Sequence, residues 1–334
     1  MRLTREMLFK IAQDTVAQRA RADRSIVGVY LHGSMLGSEP LLGGVADIDL
    51  FFVHNDEVAV EREIVRLTDE VHLDMAHHHK KDYRHAREFR VHPWMSHTLY
   101  SCKILYDPQH FLDFVQASVR GQFARPDHVI QRARPQAEQA RQIWTSLRLG
   151  AAAAEVQDVI SYLKALEAAA NAISLLSGSA LVERRFLVQF AERARLAGQP
   201  GLYAGLLGLL HGVAEIDAEL LSAWLFRWDE AFSAVSQNNP PARFNPARRY
   251  YYTHALEAWL SGDQFQNALW PLLNTWPRLV SRLPADSEAY RAWRQAYTHL
   301  GLVGGVFSER LDALDAYLDT VEEMLDRWAN ENGA

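Results

Sequence analysis

Asp47 and Asp49 stand two residues apart in Ala46-Asp-Ile-Asp-Leu-Phe-Phe-Val53, a run whose alternation predicts a β-strand. Residues two apart on a strand share a face, so both carboxylates project together while Ile48, Leu50 and Phe52 bury the opposite side. Two like charges held side by side repel, and a bound cation gives them a reason to be there. Mg²⁺ suits the arrangement because it takes hard oxygen ligands and shares its shell with substrate phosphates. Upstream, a strand-like run ends at Gly33-Ser34, where the chain is expected to turn into a short helix. Glycine lets backbone approach a ligand closely, and free amides at a helix start with a serine hydroxyl suit phosphate oxygens. A third acid, Asp74, interrupts the strand-like Val71-His-Leu-Asp-Met-Ala-His-His78. Adjacent pairing of the two strands would set it beside Asp47 and Asp49. Three such carboxylates can hold one or two metal ions, polarise a transferring phosphoryl group and help deprotonate an attacking hydroxyl.

The elements that must position these residues alternate along residues 1–120. A helix over about Thr4 to Ala22 precedes the apolar run Ser25 to His32. A Gly/Ser/Pro-rich loop spans Gly33 to Gly44, and the strand bearing Asp47 and Asp49 follows. Val58 to Thr68 has helical spacing, Glu70 to His78 reads as a third strand, and Thr98 to Tyr106 as a helix-to-strand passage closed by Asp107-Pro108. Helices mixed with short strands predict a small α/β or α+β sheet domain. From Asp127 onward the strand signal disappears. Val156, Ile160, Leu163, Leu166, Ala170 and Ile173 mark one apolar helix face, and Leu311, Leu314, Leu318, Val321 and Leu325 another. The alanines at 151–154 read as helix. The boundary is expected between Gly121 and Asp127, where Pro126 breaks the pattern. This divides the chain into 1–122 and an all-helical domain over 127–330.

Length and composition bound the rest. The chain has 334 residues, 49% of them hydrophobic and 23% charged, which excludes disordered and fibrous classes and suits two domains. Residues 1–120 carry 15 basic against 17 acidic side chains, and the remainder 20 against 24. Neither part has the positive excess of a protein that grips a long polyanion, so nucleic acid is a disfavoured partner. The single cysteine, Cys102, makes neither an intramolecular disulfide nor a cysteine-based zinc site. The N-terminal stretch reads as an amphipathic helix without a signal peptide's apolar core. The greasy run Gly201 to Leu210 is far below the ~20 residues a bilayer needs. A soluble, cytoplasmic protein without a membrane segment is expected.

Gly33-Ser34, twelve intervening residues, Asp47-Ile-Asp49 between apolar neighbours and the distal strand acid Asp74 together resemble the signature of the DNA polymerase beta-like nucleotidyltransferase superfamily. The motif covers about 45 of 334 residues and is specific in spacing and strand context. The Leu105-Tyr-Asp-Pro108 close, followed by a helical half, is similar to bacterial single-chain enzymes that adenylylate aminoglycosides. It is similar also to the minimal nucleotidyltransferase paired with a HEPN-type helical partner. The resemblance implies an α+β chain with a mixed-sheet catalytic core and a C-terminal all-α bundle. It implies two Mg²⁺ ions and a nucleoside triphosphate donor, ATP by default, with in-line transfer of a nucleoside monophosphate to a hydroxyl and release of pyrophosphate. By the same carry-over, Gly33 and Ser34 hold the triphosphate and Asp47, Asp49 and Asp74 hold metal. The expected acceptor is a small molecule, with an aminoglycoside as one class. The alternative from another class is a regulatory, antitoxin-like relative that modifies or masks a protein partner. RNA-end addition is a third reading, opposed by the missing basic excess.

Other candidates divide more evenly between chemistry and structure. Lys164, Glu167 and Asn171 fall on one stripe of a mostly apolar helix. They read either as a polar stripe facing the cleft, Lys164 near phosphate and Glu167 near the acceptor, or as an exposed ion-paired face. Arg184-Arg185 reads as a helix cap ahead of a phosphate contact. His72 and His77-His-His79 lack the cysteines or helical spacing of a usual zinc site and read as a histidine-rich strand end. Arg243, Arg248 and Arg249 with Tyr250, Tyr251 and Tyr252 suit either base and sugar stacking or a helix start with packed tyrosines. The tryptophans of the second half read as core.

Overall fold

The computed structural model describes residues 3–37, 39–150, 154–237 and 239–334. The chain is α+β and divides into two compact units. The first comprises residues 1–123 together with Pro240–Ala255, and the second Ala124–Asn239 with Leu256–Ala334. The division expected along the sequence leaves Pro240–Ala255 in the helical half, whereas its contacts lie with the sheet. Tertiary packing of a returning segment has no periodic signature, so a linear reading has no means of moving it.

In the first unit, α1 (Arg5–Ala22) starts at Thr4, whose hydroxyl accepts from the Met7 amide, an N-cap that satisfies one of the helix's orphan donors. Five strands follow: β1 (Ile26–His32), β2 (Ala46–His54), β3 (Arg62–Arg66), β4 (Val71–His79) and β5 (Lys103–Tyr106). They form one mixed sheet in the order β3-β4-β2-β1-β5, with β2 and β4 parallel and every other neighbour antiparallel. Val58 to Thr68, expected to be helical, contains β3 instead. Ile64 and Val65 pair against Asp74 and Leu73 of β4, while Arg62, Glu63 and Arg66 give this outer strand the charges that protect a sheet edge.

The two faces of the sheet are covered by different elements. Leu8, Ala12 and Val16 of α1 pack with Val29, Leu31, Ile48, Leu50, Phe52, Leu73 and Met75. On the other face, α2 (Met95–Ser101) and α3 (Phe111–Arg120) bring Leu99, Leu112, Val115 and Val119 against Val27, Tyr30 and Val53. Cys102 is buried there as a free thiol, and Gln116 ties the two helices by donating to the Leu99 and Cys102 carbonyls at 3.0 and 2.9 Å. These helices cover the end of β2 that carries Val53; Asp47 and Asp49 lie toward its other end.

The described residues of the second unit are helical apart from turns and one isolated bridge, Ala154 to Gly304. Ala151, Ala152 and Ala153 of the alanine run lie outside the described residues, as does Asn238. Pro126 is the first residue of α4 (Pro126–Arg148), a position where its missing N–H costs nothing. α5 (Val156–Ser177) packs on α4, and α6 (Phe186–Leu196), α7 (Gly201–His211) and α8 (Ala218–Ser236) follow. Of α9 (Arg249–Leu260) only residues 256–260 belong to this unit, and α10 (Leu269–Val280), α11 (Glu288–His299) and α12 (Phe307–Asn332) complete the chain. Trp228, Trp270, Trp276 and Trp293 are buried core residues, as read from the sequence. Among the described residues α5 alone is long and apolar enough to cross a membrane, and 72% of its apolar window is buried inside the protein.

Candidate functional site

Parallel pairing of β2 with β4 sets Asp47 opposite His72 and Asp49 opposite Asp74, and antiparallel pairing sets His32 of β1 opposite Asp49. Residues directly opposite one another share a face. The row Asp74-Asp49-His32 therefore crosses three strands, with Asp47 one pleat away. One carboxylate oxygen from each of Asp47, Asp49 and Asp74 lies within 4.8 Å of the other two. Asp47 and Asp74 are 5% and 3% exposed, and buried carboxylates this close require compensating positive charge. Among the described residues this is the one cluster of three acids, histidines or thiols arranged to hold a metal ion. Hard oxygen donors of this kind fit Mg²⁺.

Gly33 follows β1 with φ +86° and precedes the single 3₁₀ turn Ser34–Leu36. A Cβ at Gly33 would collide with the Asp49 carboxylate, so glycine is required both by conformation and by this close approach. The Ser34 hydroxyl donates to the Pro40 carbonyl at 3.2 Å, which fixes the loop leading back to β2. Gly43 plays a similar part: with φ +64°, it passes against the His254 carbonyl too closely for any side chain.

The charge on Asp74 is met by two guanidiniums. Arg62, on neighbouring β3, donates from Nε to Oδ1 at 2.6 Å and from Nη2 to Oδ2 at 2.7 Å, the bidentate fork that makes such pairs strong. Arg248, from the returning segment 240–255, donates to Oδ2 through Nη2. Tyr251 of the same segment stands edge-on to the buried His72 ring, centroids 5.2 Å apart, and the Arg248 guanidinium lies 5.5 Å over the Tyr251 ring. Burial pushes the His32 imidazole down to about 4, so it is neutral near pH 7.

An open cleft of about 750 Å³ extends from Asp49 and Asp74 past Phe51, Ala76 and Arg62 to His78, His79, Lys81 and Asp82, with Glu57 and Glu61 on its wall. Its floor is the sheet face left uncovered by α2 and α3.

The structure thus gathers Gly33, Asp47, Asp49 and Asp74, with Ser34 in the adjoining turn. Lys164, Glu167 and Asn171 belong to the second unit. Lys164 is exposed on α5, Glu167 half-buried, and Asn171 fully buried, where its Oδ1 accepts from the Leu181 amide at 2.8 Å. Asn171 is thus a structural group and not part of a solvent-facing stripe. Buried Arg184 sits in the turn Glu183–Arg185, and its carbonyl accepts from Trp259 Nε1 at 2.9 Å. His77 faces away from the acids, and its Nδ1 lies 2.9 Å from His54 Nε2. Sequence reasoning did not connect Arg62 or Arg248 with the acids. Arg62 lies in a segment whose spacing reads as helix, and Arg248 stood out only with Arg243, Arg249 and Tyr250 to Tyr252, as a stacking surface or a helix start. Scanned against protein-family models the chain matches none, and no curated protein matches it.

Proposed function

We propose that this chain is a nucleotidyltransferase that uses a divalent cation, Mg²⁺ by the chemistry of its donors. It would transfer a nucleoside monophosphate from a nucleoside triphosphate, ATP first, to a hydroxyl of a small-molecule acceptor. The observation that carries the reading is the convergence of Asp47, Asp49 and Asp74 on one sheet face, with the Gly33 backbone against Asp49. The order of strand, Gly-Ser turn, strand with two acids and parallel strand with the third, in a mixed sheet, supports the resemblance to polymerase beta-like nucleotidyltransferases.

In this reading the acceptor oxygen bonds to the α-phosphorus as the α–β P–O bond breaks, pyrophosphate leaves with the electron pair, and the hydroxyl proton passes to a base. A cation held by the three carboxylates would neutralise charge building on the transferring phosphoryl group. Gly33 and Ser34 would lie along the triphosphate. Asp74 already accepts three guanidinium N–H groups, which leaves about one of its four lone-pair sites for that proton. Glu57, Glu61 and Asp82 along the cleft suit an acceptor carrying ammonium groups, which places amino sugars first in an acceptor screen.

The test is calorimetric binding of a non-hydrolysable ATP analogue with and without Mg²⁺, on the wild type and on Asp47→Asn/Asp49→Asn. Metal-dependent binding that vanishes in the double variant supports the reading. A folded wild type that binds none of ATP, GTP, CTP or UTP overturns it. The Arg248 guanidinium on Asp74 favours a second reading, in which Asp74 anchors segment 240–255 to the sheet. Under that reading Asp74→Asn destabilises the protein and Mg²⁺ has no effect on its melting.

A further inference from the structure

A second cavity of about 380 Å³ lies in the first unit beyond the end of β4, with Phe111, Phe114, Val115 and Tyr83 on its apolar side. The charged residues on its wall are Lys80, Lys81 and Arg84, with no Asp or Glu among them, in a chain that has 41 acidic residues against 35 basic. Among the described residues no carboxylate pairs with these three cations. Asp82 accepts from the His79 amide, Asp107 from the Phe111 and Asp113 amides, and Asp113 pairs with His110; these carboxylates keep their charge, but none lines the cavity. Lys80 is held in place, its Nζ 3.0 Å from Gln109 Oε1 and 5.1 Å over the Phe111 ring. Phe114 is 71% exposed on a helix whose Leu112, Val115 and Val119 are buried and whose Phe111 is half-buried. An exposed phenyl beside three cations that have no salt-bridge partner among the described residues, in a concave wall, is a built combination: a flat ring to stack and an anion to neutralise.

We propose that this cavity binds a small anion built on an aromatic ring, of which a nucleoside 5′-monophosphate is the reference chemistry. The ring lies against Phe111 and Phe114, and the phosphate meets Lys80, Lys81 and Arg84 as point charges. The site is distinct from the acid cluster. His79 is five residues from Asp74 along β4, roughly 16 Å at about 3.3 Å per residue. The cavity and the acid cleft meet at the side chains of His79 and Lys81. A nucleic-acid strand entering the cavity would run on into the cleft, where, without a bound cation, Asp49, Glu57 and Glu61 repel phosphate, which favours a small ligand. The proposal needs no metal and does not rest on nucleotidyl transfer.

The experiment is calorimetric titration of the full chain, in EDTA, with AMP, phenyl phosphate, adenosine and inorganic phosphate. The variants are Phe114→Ala, Arg84→Glu and Asp49→Asn; the first two replace exposed side chains, and a thermal melt checks that each variant is folded. The expected result is binding of AMP and phenyl phosphate, with adenosine and inorganic phosphate at least tenfold weaker. Phe114→Ala and Arg84→Glu should each weaken AMP at least fivefold, and Asp49→Asn should leave it unchanged. Phenyl phosphate binding without AMP binding keeps the aromatic-anion class but removes nucleotides from it. The proposal is overturned by no binding of either ringed anion at millimolar concentration, by inorganic phosphate binding as well as AMP, or by loss in Asp49→Asn with retention in the other two. Because metal is absent, its failure leaves the Mg²⁺-dependent test above untouched.

Discussion

Arg248 donates through Nη2 to Oδ2 of Asp74, a carboxylate 3% exposed that lies beside Asp47 and Asp49. The contact joins the returning segment 240–255 to β4 and takes up a lone pair of a carboxylate that a cation at the acid cluster would share. A carboxylate offers about four lone-pair sites, and the two guanidiniums take three of them. Arg248→Ala is therefore expected to raise the affinity of the acid cluster for a divalent or lanthanide ion, about tenfold if ~1.4 kcal/mol of competition is removed. Terbium luminescence on wild type and variant measures it. Unchanged or weaker binding in a folded variant would show that the pair and the cation do not compete.

Gly33→Ala tests the close approach of backbone to the Asp49 carboxylate. The added methyl meets both the collision and a φ of +86°, so a loss of about 1–3 kcal/mol in stability is expected. Cation binding should weaken with it, because Asp49 must move. Denaturant unfolding and the same terbium titration check the two effects, and a variant as stable as wild type would refute the account.

On the face away from the acids, His54 Nε2 and His77 Nδ1 share a hydrogen bond of 2.9 Å, and Ser25 Oγ meets His54 Nδ1 at 2.9 Å. Burial holds both imidazoles below the ordinary histidine value of 6.5, against the opposing pull of Asp23 and Asp56 on His54 and of Glu63 on His77. The unfolded chain therefore takes up protons first as pH falls through about 6.5. Their contribution is complete above that pH and drains away as pH drops toward the folded values. Melting temperature should fall between pH 7 and 5, and less steeply in His54→Asn/His77→Asn. An identical slope in the double variant would assign the pH dependence to other groups.

In the second unit, Arg141 of α4 reaches Asp319 at 2.6 Å and Glu322 at 2.9 Å, and also meets Asp315, all on α12. Glu322 chiefly, with Asp319 and Asp315, holds its guanidinium well above the ordinary range. Its side chain is 24% exposed, so the network is screened only in part. Arg141→Ala should cost roughly 1–3 kcal/mol, with the three acids then repelling one another along one helix face. The penalty should shrink in high salt, and denaturant unfolding at two ionic strengths measures both statements.

Local pattern carried much of this molecule. The alternation in Ala46 to Val53 dictates that Asp47 and Asp49 share a face, because strand geometry has a period of two and Ile48, Leu50 and Phe52 must be buried. The helical faces of α5 and α12, the turn at Gly33 and the strand bearing Asp74 follow from the same short-range rules. Tertiary structure alone decided the rest. That β4 lies parallel to β2, setting Asp74 opposite Asp49, depends on a pairing partner and register that no residue of either strand specifies by itself. Within Val58 to Thr68, Arg62–Arg66 became an edge strand because β4 offered it a ladder, overriding the helical spacing. The return of Arg248 to Asp74 and of Tyr251 to His72 is a long-range contact between segments far apart in the chain. Charge complementarity fixes such a contact only once the fold has brought the partners together.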